Sequence, residues 1–240
     1  VENGIKSKLE NAHHTQLPHF TPHFWWDNQI KKEWLGLILR WLKKKLQNLV
    51  LKLQNNKLVA GVDEVGRGCL AGPVVSAVVI LKKTADLKSI KDSKKLSFAL
   101  RLKIAKHIKK HSFYSIGIAS VQEIYKINIL QASLLSMKRA LKKISKKPKL
   151  ILIDGIFAPE GIKNYRVVVK GDNKFKCISA ASIIAKVYRD NLMIKLSKKF
   201  KNYHWDKNFG YGTKQHLRDI KKFGISKHHR KGFSPIHKML

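Results

Sequence analysis

Acidic residues are scarce in this chain. Fifteen Asp and Glu stand against 50 Lys and Arg in 240 residues, a formal net charge of +35. Such an imbalance points to a polyanion as partner, nucleic acid first and an anionic membrane surface second. Arginine is scarce too, with 8 Arg among the basic residues and 42 Lys. Planar recognition of phosphates and bases favours Arg, so part of the lysine charge reads as a solvated surface. Cysteine is almost missing. Cys69 and Cys177 cannot build a disulfide framework, which fits a reducing cytoplasm; both read as small packed side chains. Long apolar runs are absent. Trp34–Leu39 stops at Arg40, well short of the roughly 18 residues a membrane span needs. Residues 1–30 lack a positive start, an apolar centre and a small-residue cleavage site, so no secretory leader is expected. What is present excludes a disordered basic tail, because 44% hydrophobic residues suffice to bury a core.

Three segments differ in texture. Residues 1–33 form an irregular extension with His13, His14, His19 and His23 and the pair Trp25–Trp26. Its histidine spacing matches no closed zinc pattern, and no Cys lies nearby. A loosely docked extension is expected there. The chain begins with Val1, so part of this segment is expected to lie outside the natural product. Residues 34–56 carry Leu35, Ile38, Leu42, Leu46, Leu49 and Leu53 at helical spacing, a basic amphipathic helix leading into the core. Such a helix packs on its own domain or lies on a membrane. Residues 57–240 have the patterning of a globular domain.

Within that domain, Lys57–Val62, the β-branched Pro73–Leu81, His111–Ser120, Lys149–Asp154 and Tyr165–Lys170 read as strands. Ser97 reads as the N-cap of a helix with Leu100, Ile104 and Ile108 on one face. Ile127, Leu130, Leu134, Met137, Leu141 and Ile144 mark a long helix, and residues 178–196 a second, apolar through Ala181, Ile184, Ala185 and Tyr188. Early strands followed by alternating strands and helices predict an α/β domain with a mixed sheet.

In so basic a chain the few acids are informative. Asp63 and Glu64 close the first predicted strand, Asp154 closes the fourth, and Asp172 follows the fifth in Lys170-Gly171-Asp172. Strand ends are where α/β folds place their chemistry. Carboxylates gathered in one cleft repel one another, and hard divalent cations such as Mg²⁺ or Mn²⁺ relieve this. Two such ions suit in-line displacement at a phosphodiester. Each acid taken alone also reads as a turn residue or helix cap. Adjacent strand residues face opposite sides, so Asp63 and Glu64 are expected to share a site through a break or bulge. Gly66-Arg67-Gly68 follows directly. Its exposed backbone can meet a sugar 2′-hydroxyl and Arg67 can grip a phosphate; an ordinary tight turn is the plainer reading. The spacing is not that of a phosphate-cradling P-loop.

Together these segments resemble the ribonuclease HII family. The resemblance rests on Val62-Asp63-Glu64-Val65-Gly66-Arg67-Gly68 with Leu70-Ala71-Gly72-Pro73-Val74, and on Asp92-Ser93-Lys94-Lys95-Leu96. It continues through Ile153-Asp154-Gly155, Lys170-Gly171-Asp172, Ser179–Val187, Arg189-Asp190, Gly210-Tyr211-Gly212-Thr213 and His216. It spans residue 57 to the end, in family order. It implies a ribonuclease H-like fold: a central mixed β-sheet flanked by helices, with a helical C-terminal segment. It implies metal-dependent endonucleolytic cleavage of the RNA strand of RNA–DNA hybrids, and of duplex DNA 5′ to embedded single ribonucleotides, leaving 3′-hydroxyl and 5′-phosphate ends. Carried over, Asp63, Glu64, Asp154 and Asp172 resemble the catalytic metal ligands of a two-metal Mg²⁺ or Mn²⁺ site. Gly66, Arg67 and Gly68 resemble the loop that reads the 2′-hydroxyl, and Tyr211 the aromatic that stacks on the next deoxyribose. Lys186 and Arg189 would lie near the substrate backbone, while Asp190 reads as structural. A cytoplasmic monomer acting in ribonucleotide excision repair and replication, without stable membrane association, is the implied setting. The rival readings are ribonuclease HIII, a non-catalytic nucleic-acid-binding protein and a membrane-surface protein. Residues 1–56 look too short and irregular for the N-terminal domain that ribonuclease HIII usually carries.

Overall fold

A β-branched run without polar alternation has to be covered on both faces. Val74–Leu81 is such a run, and in the computed structural model it forms β2, buried along all but its last residue. The structure describes residues 34–42, 45, 58–82 and 97–239. Residues 34–42 are helical. The predicted extension over 1–33, the remainder of the 34–56 helix and the Asp92–Leu96 motif lie outside the described residues. By contact density the chain falls into two units, Val1–Leu49 and Val50–Leu240, and the second holds the sheet.

Five strands line up in the order β3-β2-β1-β4-β5: β1 Val59–Val65, β2 Val74–Leu81, β3 Ser112–Ala119, β4 Leu150–Asp154 and β5 Tyr165–Val168. The first three are antiparallel neighbours, whereas β4 runs parallel to both β1 and β5. The sheet is therefore mixed, as the patterning predicts. Side-chain alternation sorts the core into two layers. Ala60, Val62, Val78, Ile80, Ile151 and Ile153 pack against Met137 and Ala140 of α2 (Val121–Lys143). Ala77 and Val79 face α1 (Phe98–Lys110) and α3 (Lys176–Lys199) on the other side. Two glycines allow these layers to close. A Cβ on Gly61 would sit 2.1 Å from the carbonyl carbon of Cys177, and one on Gly117 would sit 1.9 Å from the Ser136 carbonyl oxygen. Cys69 and Cys177 are buried free thiols. Among the described residues no helix is long and apolar enough to cross a membrane.

Local signals set the helix starts. The Ser97 hydroxyl accepts from the Leu100 N–H, and Ser120 with Glu123 forms a reciprocal capping box at the start of α2. Three expectations are corrected. The long helix begins at Val121 and breaks at Asn128 (φ 62°, ψ 170°), whose side chain then caps the next turn through the Gln131 N–H. Tyr188 of α3 is partly exposed and does not complete its apolar face. β1 runs unbroken through Asp63 and Glu64, paired in register with Ala77 and Ser76, so no bulge separates them. Beyond α3 come the single turn α4 (Trp205–Asn208) and α5 (Lys214–Phe223).

Candidate functional site

Parallel pairing brings the C-terminal ends of β1 and β4 together. The ladder ends at Val62–Ile153, and the next residues are Asp63 and Asp154. Both belong to the face covered by α3, because Gly61, two residues before Asp63, meets the Cys177 backbone. Alternation sends Glu64 to the other face. A cavity of about 340 Å³ opens at this edge and takes in Asp63, Glu64 and Asp154 together. An open ladder end does here what a bulge was expected to do. The rest of the lining comes from Val65 and Gly66, from Arg101 of α1, from Ser182, Ile183 and Lys186 of α3, and from Tyr211.

The carboxylates crowd one another. Asp63 is held well above the usual carboxylate range, first by burial and then by the charges of Glu64 and Asp154, against a Ser182 hydrogen bond. Glu64 is raised by burial and by Asp154, against the pull of Arg67. Glu64 Oε1 accepts from Arg67 Nη1 at 3.2 Å, while its buried Oε2 has no hydrogen-bond partner. The Glu64 N–H donates to Asp63 Oδ1 at 2.7 Å, and the Gly171 N–H to Asp154 Oδ1 at 2.6 Å. Asp172 follows in the short turn Gly171–Asn173, where it is buried, and it is not part of the cavity lining. Among the described residues no three His, Cys, Asp or Glu side chains close into a finished metal cage. Crowded carboxylates and an orphaned oxygen nonetheless fit a hard divalent cation, which would supply the missing partner and relieve the repulsion.

Gly66-Arg67-Gly68 sits at the rim, with Gly66 buried and Arg67 and Gly68 exposed. Two buried arginines hold this loop and its neighbours. Arg189 donates to the carbonyls of Ala71, Pro73 and Phe209 at 2.8–2.9 Å. Arg230 donates to those of Gly66, Arg67 and Gly72 at 2.7–2.9 Å. Gly66 is required there: its φ is +92°, and a Cβ would lie 2.2 Å from Arg189 Nε. Arg189 is fully buried with its donors spent on carbonyls, so it braces the loops and does not reach the groove as expected. Lys186 does. Its Nζ lies 2.8 Å from Asp190 Oδ1, 4.9 Å from the Phe209 ring and 5.4 Å from the Tyr211 ring. Asp190 is fully buried between Lys186 and Arg101, a structural ion-pair centre. Tyr211 is 37% exposed, and its hydroxyl is pushed up to about 12, mainly by burial and then by Cys69.

Comparison with known proteins identifies the family. A family model described as Ribonuclease HII matches residues 60–238. The chain belongs to the ribonuclease HII family. The ribonuclease HII of Pelagibacter ubique is 59% identical over 186 residues, 77% of this chain and all of that protein. That of Wolbachia pipientis wMel is 47% identical over 197 residues, 82% of this chain and again all of the relative. Among solved structures, the ribonuclease H2 of Pyrococcus horikoshii OT3 superposes with a TM-score of 0.64 at 26% identity, covering 75% of this chain and 96% of that one. As a ribonuclease HII family member the chain is a ribonuclease H, a hydrolase acting on RNA in RNA–DNA hybrids.

Sequence reasoning missed several parts of this cavity and its supports. Arg101 and Ser182 line the cavity, and Arg230 holds the loop. The signal for the arginines was their rarity. In a chain that uses Lys almost everywhere, an Arg marks a place where a planar fork of donors is needed.

Proposed function

We propose that this chain cleaves the RNA strand of RNA–DNA hybrids, and duplex DNA on the 5′ side of single embedded ribonucleotides. The observation that carries this is the gathering of Asp63, Glu64 and Asp154 in one cavity with Tyr211 opposite and the glycine-arginine-glycine loop on its rim. Asp63, Glu64 and Asp154, with Asp172 as the fourth acid, would hold two divalent cations. When bound, Mg²⁺ or Mn²⁺ supplies Lewis-acid activation of water and charge neutralisation at the phosphate. Burial and the neighbouring carboxylates raise Asp63 and Glu64, and a bound cation would relieve that repulsion. Lys186 lines the same cavity as the carboxylates and can meet a substrate phosphate there. Exposed backbone at Arg67 and Gly68 can both donate to and accept from a 2′-hydroxyl. A Cβ at Gly68 would meet nothing within 4 Å, so that surface is open to a ligand. The half-exposed Tyr211 ring offers a stacking face to the next sugar. Water adds at phosphorus, the bond to the preceding 3′ oxygen breaks, and the ends are a 3′-hydroxyl and a 5′-phosphate. This reading extends to the removal of ribonucleotides from DNA during replication and repair by a cytoplasmic monomer.

The test is a cleavage assay on duplex DNA holding one ribonucleotide, with Mg²⁺, with Mn²⁺ and with chelator. Metal-dependent cutting 5′ to the ribonucleotide is expected. Binding without cutting in either metal would move the chain to a non-catalytic nucleic-acid-binding role.

A further inference from the structure

Behind the Tyr211 loop lies a fully buried group of rings that the cleavage chemistry does not use. Trp205, His216 and His229 are each at most 2% exposed. Their hydrogen bonds admit one arrangement of protons. The Ser226 backbone N–H donates to His229 Nδ1 at 2.9 Å, so a neutral His229 carries its proton on Nε2. That Nε2 lies 3.2 Å from His216 Nε2. The Trp205 Nε1–H, a donor only, is aimed at the same His216 nitrogen at 3.0 Å. His216 Nε2 is therefore the acceptor of both bonds, and His216 carries its proton on Nδ1. From there it donates to the Tyr211 carbonyl at 2.8 Å. One directed relay thus runs from Ser226 through His229 and His216 to the backbone of Tyr211.

The segment it reaches needs holding. Phe209 and Gly210 both have left-handed backbones, at φ 49° and 83°. A bulky residue persists there only when its surroundings over-determine it. Arg189 grips the Phe209 carbonyl, the Asn208 side chain caps the Gly210 N–H, and the relay takes the Tyr211 carbonyl. Burial favours the neutral form of both rings, lowering His216 and holding His229 down to about 4. The nearest carboxylate, Asp219, is already engaged by His204 Nδ1 and the Gln215 amide. An added proton would set two donors against each other at the His216–His229 contact.

We propose that His216 and His229 are positioning residues for Tyr211: a fixed-tautomer relay that sets the ring where it meets the substrate sugar and so sets the preference for RNA–DNA junctions. This rests on the stacking role given to Tyr211 above. Two measurements on the full chain test it. Long-range proton–nitrogen NMR at neutral pH reads the tautomers directly, and protons on His216 Nδ1 and His229 Nε2 are expected. The opposite tautomer on either ring would overturn the relay whatever the enzyme does. The second measurement is the ratio of kcat/KM on a single-ribonucleotide duplex to that on a uniform hybrid. Tyr211→Ala should lower this ratio about tenfold. His216→Ala should reproduce most of that loss through KM, with kcat on the uniform hybrid within about twofold. His216→Asn, which keeps a donor where Nδ1 stood, should restore much of it; a merely structural role would not distinguish these variants. A folded His216→Ala with the wild-type ratio, or a folded His216→Asn as deficient as Tyr211→Ala, overturns the positioning role alone. An unchanged ratio in Tyr211→Ala itself removes the stacking role, and the proposal with it.

Discussion

The two walls of the cavity are built by opposite rules. At the sheet end, Asp63, Glu64 and Asp154 crowd one another, Asp63 buried and the other two half-buried, and one carboxylate oxygen has no hydrogen-bond partner. Behind the C-terminal wall, Arg189, Arg230, His216 and His229 spend their donors and acceptors on one another and on backbone. The first wall stores unfavourable electrostatics that a cation or substrate would relieve. The second is a scaffold whose polar groups are already satisfied. Removing a group from the first should abolish chemistry and relax the fold, whereas removing one from the second should weaken the fold and blur selectivity.

The largest effect tests the first wall. Asp63→Asn or Asp154→Asn should reduce cleavage to background while duplex binding survives. Without metal, Asp63→Asn should leave thermal stability unchanged or raise it by about 1 kcal/mol, because it removes a buried, repelled charge. Calorimetry beside the cleavage assay checks both halves. A clear loss of stability would break the contrast.

On the second wall, Arg230→Lys should cost about 3 kcal/mol in denaturant unfolding, because one ammonium cannot serve three carbonyls set around a planar fork. The guanidinium is already pushed down to about 10, chiefly by burial. An unchanged midpoint would mean that the loop does not need the clamp.

The walls should also titrate with opposite sign. Burial holds His229 at about 4 against an ordinary 6.5. The unfolded chain therefore takes up a proton that the fold refuses, and stability falls as pH drops from about 6.5 towards 4, by no more than about 3 kcal/mol. Asp63 and Glu64 are raised. Their penalty is fully present above the folded values and fades as pH falls towards the ordinary carboxylate range. His229→Gln should flatten the acid limb of unfolding temperature against pH, and Asp63→Asn should gain most at neutral pH. Parallel curves for both variants would show that the two walls are not distinct.

Much of this was legible in the sequence, and what was not has a physical reason. The Ser97 cap and the strand runs are local, so pattern suffices. The acids stood out because they are few and end strands. That Asp63 and Glu64 share a cavity on an unbroken strand depends on where the β4 ladder stops, which no property of β1 encodes. The Asn128 break is hidden because the apolar stripe of α2 continues across it. The resemblance alone puts Arg189 near the substrate backbone, whereas its burial depends on loops over a hundred residues earlier in the chain. Arg230 reaches partners 158 to 164 residues away, beyond any local periodicity.

Arg67 belongs to both walls and gives the finest test of the division. Its side chain pairs with Glu64 at 3.2 Å and is 48% exposed, whereas its carbonyl is held by Arg230. Arg67→Ala removes the pair and keeps the grip. An exposed pair of this kind contributes about 0–1 kcal/mol, so stability should move by no more than about 0.5 kcal/mol. Glu64 should rise further, because a lowering influence is gone. The cleavage optimum should shift to higher pH, and KM for the embedded ribonucleotide should rise about three- to tenfold with the lost phosphate contact. If stability fell as far as in Arg230→Lys, the loop would depend on its exposed side chain, and the satisfied scaffold would not be what holds it.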